Sequence, residues 1–214
     1  MFEHFIQRAI LFLPPFLLAI SVHESMHAYV AYRFGDTTAR DLGRITLNPI
    51  PHIDIVGLIM ILTIGFGAAK PVPINSYNLK NPVKDNLWIA LAGPASNLVL
   101  AAISAFAYRL IASHLYNDPM GIYLSNMIYT SVTLNIVLMV FNLFPIPPLD
   151  GFHILLGMVS PSNYDKLQRL WKFTPIIMIA LFASVIAGVD IFTPIFRPFV
   201  NVIGGFLLGM PVGW

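Results

Sequence analysis

Apolar residues run in long blocks along this chain, separated by short stretches rich in Pro, Asn, Gly and charge. A helix needs about 20 apolar residues to cross a membrane. Four blocks reach that length when a few polar residues are tolerated: 5–32, 87–112, 122–146 and 173–193. A fifth, 199–210, is short and Gly-rich and reads as a terminal half-helix or a tilted span. A sixth, 55–66 (IVGLIMILTIGF), favours a re-entrant or interfacial segment, because 12 residues are too few for a full span. Its flanks, 44–52 and 68–78, are extended and punctuated by Pro, as in short strands or loops. Non-helical backbone at membrane depth is tolerated only when buried in protein or facing water, so 40–84 is expected to form a structured re-entrant region. The pattern predicts an all-α polytopic membrane protein. It is a bundle of five to six transmembrane helices, with a re-entrant loop or short-strand region between the first two long helices. One domain is expected over 1–214, and Pro14 and Pro15 are expected to kink the first helix.

Composition agrees. Of 214 residues, 57% are hydrophobic and 10% charged, against roughly 25% charged in soluble domains. So few charges cannot cover so much apolar surface in water, which excludes a soluble globule, a disordered chain and a coiled coil. A net charge of +2 without a basic block argues against nucleic-acid binding. The chain has no Cys, which excludes disulfides, thiolate metal sites and a thiol nucleophile, so any metal must be held by His, Asp or Glu. The apolar start lacks a basic lead and a small-residue cleavage site, and is expected to be a retained helix rather than a signal peptide. If 40–84 enters and leaves on one side, Arg33, Arg40, Arg44, Lys70, Lys80, Lys84, Lys166, Arg169 and Lys172 share a face. Arg8, Arg109 and Arg197 then lie near the other. The positive-inside rule makes the first face cytoplasmic.

The chemistry lies in His23-Glu24-Ser25-Met26-His27, an HExxH motif. On a helix, positions four apart sit about 40° around the axis, so both imidazoles can bind one ion. Zinc suits such nitrogens. Glu24 lies about 100° from His23, beside the metal, where it can take a proton from water. Two His and a Glu in a membrane helix are costly and imply function. A catalytic zinc needs a third protein ligand. Asp150, after the helix-breaking Pro145, Pro147 and Pro148, is the candidate; its other reading is a cap on the helix that begins near Gly151.

Taken together, HExxH, the Leu149-Asp150-Gly151 after a Pro-rich break, and Gly93, Pro94 and Asn97 inside a helix resemble the site-2 protease family of intramembrane zinc metalloproteases. Residues 44–57 and 66–75 resemble its compact bacterial and archaeal branch, which lacks a PDZ domain; Ala68 departs from a frequent Trp. The resemblance covers about 20–157, within a catalytic core of about 5–157. It implies one Zn²⁺ per chain held by His23, His27 and Asp150, with Glu24 as catalytic base. It implies Asn97 and Asn142 as substrate-binding groups. It further implies a re-entrant segment that pairs with an extended substrate, and a site opening towards the cytoplasm. The implied activity is an intramembrane zinc metalloendopeptidase that cuts transmembrane protein or peptide substrates in the cell membrane, in regulated intramembrane proteolysis.

Other polar residues carry two readings each. Asn97 and Asn142 could instead be interhelical hydrogen-bond partners, worth about 1 kcal/mol. His52 and Asp54 either support or gate the site, or form an interfacial turn held by side-chain to backbone bonds. His153 could share a helical face with Asp150, but a fourth protein ligand would close the metal site, so a hydrogen-bonding or interfacial role is expected. Asn135, Ser131 and Thr133 read as packing residues, and Tyr164 to Lys172 as an interfacial amphipathic turn. A metal transporter would string ligands across the bilayer, and a dead scaffold would have lost one of the four site residues. The sequence does neither.

Overall fold

Four helices of this computed structural model are long and apolar enough to cross a membrane: Ala9–Arg33, Pro82–Ala112, Pro119–Asn142 and Pro161–Ile186. The structure describes residues 2–64, 67–115 and 118–212, the side chains of 2–8, 64, 113 and 115 excepted. The expectation for Arg8 therefore lies outside the described residues. In chain order the helices are α1 (Phe2–Arg33), α2 (Thr38–Asp41), α3 (Ile55–Ile64), α4 (Pro82–Leu115) and α5 (Pro119–Asn142). They continue with α6 (Asp150–Met158), α7 (Pro161–Gln168), α8 (Thr174–Ile186), α9 (Phe192–Phe199) and α10 (Gly205–Leu208). No strand forms among the described residues. The bundle is all-helical, as expected, and of the two forms expected for 44–52 and 68–78 the loop is the one observed.

The helix boundaries follow local chemistry. α1 runs unbroken through Pro14 and Pro15. α5 starts where the Asp118 carboxylate accepts from the Gly121 N–H at 3.2 Å and Pro119 occupies the first turn. It stops at Asn142 rather than at 146, because Pro145 cannot donate into the ladder. The expected span 173–193 instead begins at Pro161: α7, a 3₁₀ turn (Arg169–Phe173) and α8 are continuous, so Tyr164 to Lys172 is helical rather than a turn. The Gly-rich block at 199–210 belongs to a shorter apolar helix, Phe192–Leu208, interrupted by a π turn at Val200–Gly204.

Small residues let α1, α4 and α5 approach closely. Ala19, Ser21, Ala28 and Ala31 of α1 are fully buried, as are Asn97 and Ala101 of α4. Without a hydrophobic drive between helices in lipid, such contacts come from close van der Waals packing and side-chain hydrogen bonds. The core continues through Val132, Ile136 and Val140 of α5 onto Phe196 and Val200 of the short C-terminal helix.

The segment between α1 and α4 doubles back on itself. α3 has ten residues, about 15 Å of helix and half a bilayer. Beyond it the chain returns to the start of the same helix: a Cβ on Gly57 would lie 1.9 Å from the Ala68 carbonyl oxygen, and one on Gly67 would lie 2.2 Å from the Gly57 oxygen. Two glycines at the crossing let backbone touch backbone. Buried side chains then pin the returning chain. The Arg44 guanidinium donates to the carbonyls of Lys70 (2.6 Å) and Pro71 (3.1 Å), and the Lys70 N–H donates to the His52 carbonyl at 3.0 Å. Asp36, fully buried, accepts from the Asn75 N–H (2.7 Å) and the Asn78 amide (2.8 Å).

Candidate metal centre

Asp150 meets the two imidazoles across the bundle. The last turns of α1 and the first residue of α6 both pack against α4. His23 Nε2 lies 3.0 Å from His27 Nε2, and the Asp150 Oδ2 lies 3.2 Å from the first and 3.4 Å from the second. The two rings are nearly perpendicular, at 85°. Their approach needs a bare helix surface. A Cβ on Gly93 of α4 would lie 2.4 Å from His27 Nε2 and 2.6 Å from His23 Cε1.

The far side of each ring fixes its proton. His27 Nδ1 donates to the Ile89 carbonyl at 2.7 Å, since a carbonyl can only accept. His23 Nδ1 donates to the Asn97 Oδ1 at 2.6 Å; the Asn97 amide nitrogen is already committed to the Asn135 Oδ1 (2.8 Å) and the Ala19 carbonyl (3.4 Å). With both Nδ1 atoms protonated, each neutral ring turns a lone pair at Nε2 towards the other and towards a carboxylate. Asp150 Oδ2 is buried with no hydrogen-bond partner, and α6 has no side-chain cap at its start, so Asp150 does not serve as a helix cap. Three acceptors converging on one point, with no donor between them, fit a bound cation. Both histidines are 7% exposed.

The centre opens into a cavity of about 550 Å³. Glu24, Asn142 and His153 line it, together with Phe16, Phe141 and, from the returning segment, Gly67 to Ala69, Pro71 and Val72. Glu24 is half-buried there, beside the three acceptors rather than among them. Asn142 stands on the wall, its amide donating to the Leu138 carbonyl at 3.0 Å. His153 packs its ring on Trp171 at 5.2 Å, and burial holds its imidazole below its ordinary pKa, which keeps it uncharged at neutral pH. It does not join the metal-ligand group.

Two expectations need correction. Asn97 does not face the cavity: it is fully buried behind His23 and spends its amide on holding that ring. His52 and Asp54 do not touch the metal ligands. The His52 Nε2 bonds the Thr46 carbonyl at 2.9 Å, and the Asp54 carboxylate accepts from the Gly57 N–H at 2.8 Å, starting α3. Both belong to the turn reading. Ile89, Asn135, Asp36 and Arg44 carry contacts that sequence reasoning did not assign. The available signals were an Asn inside an apolar helix and charges flanking a Pro-rich loop.

A family model described as peptidase family M50 matches residues 110–184, a stretch that includes Asp150. The chain is 41% identical over 172 residues to "Putative zinc metalloprotease YwhC" of Bacillus subtilis (strain 168), covering 78% of each chain. It is 29% identical over 182 residues to "Putative zinc metalloprotease Rip2" of Mycolicibacterium smegmatis, covering 80% of this chain and 67% of that one. It is 27% identical over 172 residues to the Rip2 of Mycobacterium tuberculosis (strain H37Rv), covering 78% and 64%. No solved structure matches the chain.

Proposed function

The chain belongs to peptidase family M50, the site-2 protease family, and from that premise we propose that it is a zinc metalloendopeptidase cutting transmembrane substrates inside the bilayer, as one domain over 1–214. The observation that carries this reading is the convergence of His23 Nε2, His27 Nε2 and Asp150 Oδ2 to within 3.4 Å of one another, with each ring's Nδ1 bonded on its far side. Those three atoms would hold the ion, leaving a fourth position towards the cavity. When bound, zinc supplies Lewis-acid polarisation and lowers the pKa of its water to about 7.

The chain's own residues do the rest. Glu24 takes a proton from the attacking water and delivers it to the leaving amine nitrogen as the peptide C–N bond breaks. Asn142 on the cavity wall offers a hydrogen bond to the substrate backbone. A helical substrate keeps its carbonyls bonded internally and is about 10–12 Å wide, so it must unwind before a carbonyl reaches the centre. Gly67 to Ala69, Pro71 and Val72 line the cavity outside any helix and can offer backbone groups to the unwound stretch.

The depth of the site supports cleavage within the membrane. His23 precedes the end of α1 at Arg33 by ten residues, about 15 Å along the axis and half the hydrocarbon thickness. The cluster of basic residues around Arg33 and Lys80–Lys84 supports a cytoplasmic opening in the cell membrane.

Zinc per chain in detergent-purified protein tests the centre, with Asp150→Ala alongside. One zinc in the parent and loss of about 10² or more in affinity in the variant is expected; equal retention in both would remove Asp150 as a ligand. Glu24→Gln should keep its zinc and lose cleavage of a transmembrane substrate by at least about 10²-fold. Full activity in that variant would move the base elsewhere.

A further inference from the structure

His23 and His27 solve one problem in two ways. Each must carry its proton on Nδ1, so that Nε2 is free for the ion. His27 reaches a backbone carbonyl directly, at Ile89. His23 reaches an amide, and an amide can rotate: turned over, Asn97 would present its NH₂ to the ring and favour the wrong tautomer. Something has to set its direction.

We infer that Asn135 of α5 is a positioning residue for the metal centre, orienting the Asn97 amide and through it the His23 ring. This rests on the metal reading above. The chain of bonds has a fixed polarity. The Ser131 carbonyl can only accept, so Asn135 Nδ2 donates to it at 2.8 Å. The Asn135 Oδ1 is then the atom left facing α4, and it too can only accept, so Asn97 Nδ2 donates to it at 2.8 Å, a much shorter bond than its second donation, to the Ala19 carbonyl at 3.4 Å. That leaves Asn97 Oδ1 for His23 Nδ1 at 2.6 Å. The direction of every bond is set at the far end by a helix carbonyl that cannot turn over. Asn97 and Asn135 are both fully buried, so no water can substitute. An interhelical bond that served only to glue α4 to α5 would not need this polarity. The neighbouring Ser104–Ser131 hydroxyl pair, at 2.9 Å, joins the same two helices and can donate either way.

Two measurements on the full chain in lipid nanodiscs test the relay: zinc affinity by chelator competition, and the histidine tautomers of the metal-free protein by ¹⁵N NMR. In the parent, His23 should be a single Nδ1–H tautomer. Asn135→Leu should weaken zinc about tenfold and give His23 a mixture of tautomers, with His27 unchanged. Ser104→Ala, at the same helix interface, should stay within about twofold of the parent with the parent's tautomers. A carboxylate at 97 accepts from His23 in either orientation. Asn97→Asp should therefore make Asn135 dispensable, and the double variant should bind zinc within about threefold of Asn97→Asp alone, which also guards against Asn135→Leu merely misfolding. Parent-like zinc binding and a single His23 tautomer in Asn135→Leu would overturn the relay and leave the metal centre standing. A loss in the double variant as large as that in Asn135→Leu would do the same. A parent that takes up no zinc would overturn the metal reading and the relay with it.

Discussion

Gly93 shows how one missing methyl group makes the centre possible. Alanine there would gain about 1 kcal/mol of helix propensity, but its Cβ would stand 2.4 to 2.6 Å from both rings. Those rings are held from behind by Ile89 and Asn97 and cannot retreat. Overpacking of about 1–3 kcal/mol therefore outweighs the gain. Gly93→Ala should lower the melting temperature and weaken zinc by at least about tenfold in chelator competition. An unchanged affinity would mean that the rings have freedom to move. Trp171 likewise defines the floor under His153, through ring contact alone.

At the scale of elements, the stretch between α1 and α4 is the least regular part of the molecule and depends most on single side chains. Burial alone would raise the Asp36 carboxyl, but hydrogen bonds from Thr38, Asn78 and the Asn75 N–H hold it below the ordinary carboxylate range. A folded-state pKa below the unfolded one means that the stabilisation is present above the unfolded pKa of about 3.9, and is lost as pH falls through the folded value. The parent should therefore be more stable than Asp36→Ala at neutral pH by about 1–3 kcal/mol, and the gap should narrow below about pH 4. Thermal unfolding across that range reads it directly, and a gap independent of pH would show that the charged form is not what binds Asn75 and Asn78. Arg44 does the matching work on the Lys70 and Pro71 carbonyls, which anchors the cavity edge around Pro71.

At the scale of the whole molecule, the meeting of α1 with α6 constrains the topology. His27 lies six residues before the end of α1, and Asp150 eight residues after the end of α5. The two can touch only if α1 and α5 end on the same side of the bundle. With α3 doubling back, α4 and α5 form a hairpin that starts and finishes on that side, and the basic residues gather there. A cysteine placed at Lys80 should react with an impermeant thiol reagent only from the cytoplasmic side of the cell. Labelling from outside would overturn that orientation of the bundle.

Much of this was legible in the chain. The long blocks gave the first three crossings to within a few residues, since a run of about 20 apolar residues has few alternatives to a membrane helix. The largest shift was in the fourth span, which begins at Pro161 rather than at 173. The HExxH spacing brought two imidazoles onto one face because helical geometry is local. Asp150 was different. Its candidacy as a ligand competed evenly with a capping role, and 122 residues of chain separate it from His27. No short-range rule bridges that distance.

Local periodicity, composition and motif spacing thus decided the class of fold, the membrane setting and the identity of one half of the centre, because each depends on neighbours in sequence. The tertiary structure decided which far-apart groups share a point in space. It joined Asp150 to the two histidines, turned Asn97 from the cavity to the back of His23, and drew Asn135 into line behind it. It also returned Ala68 to Gly57 in place of a paired strand. Those outcomes depend on how closely three helices approach, and that distance is set by small side chains such as Gly93, Ala19 and Ala101, whose effect appears only when the surfaces meet.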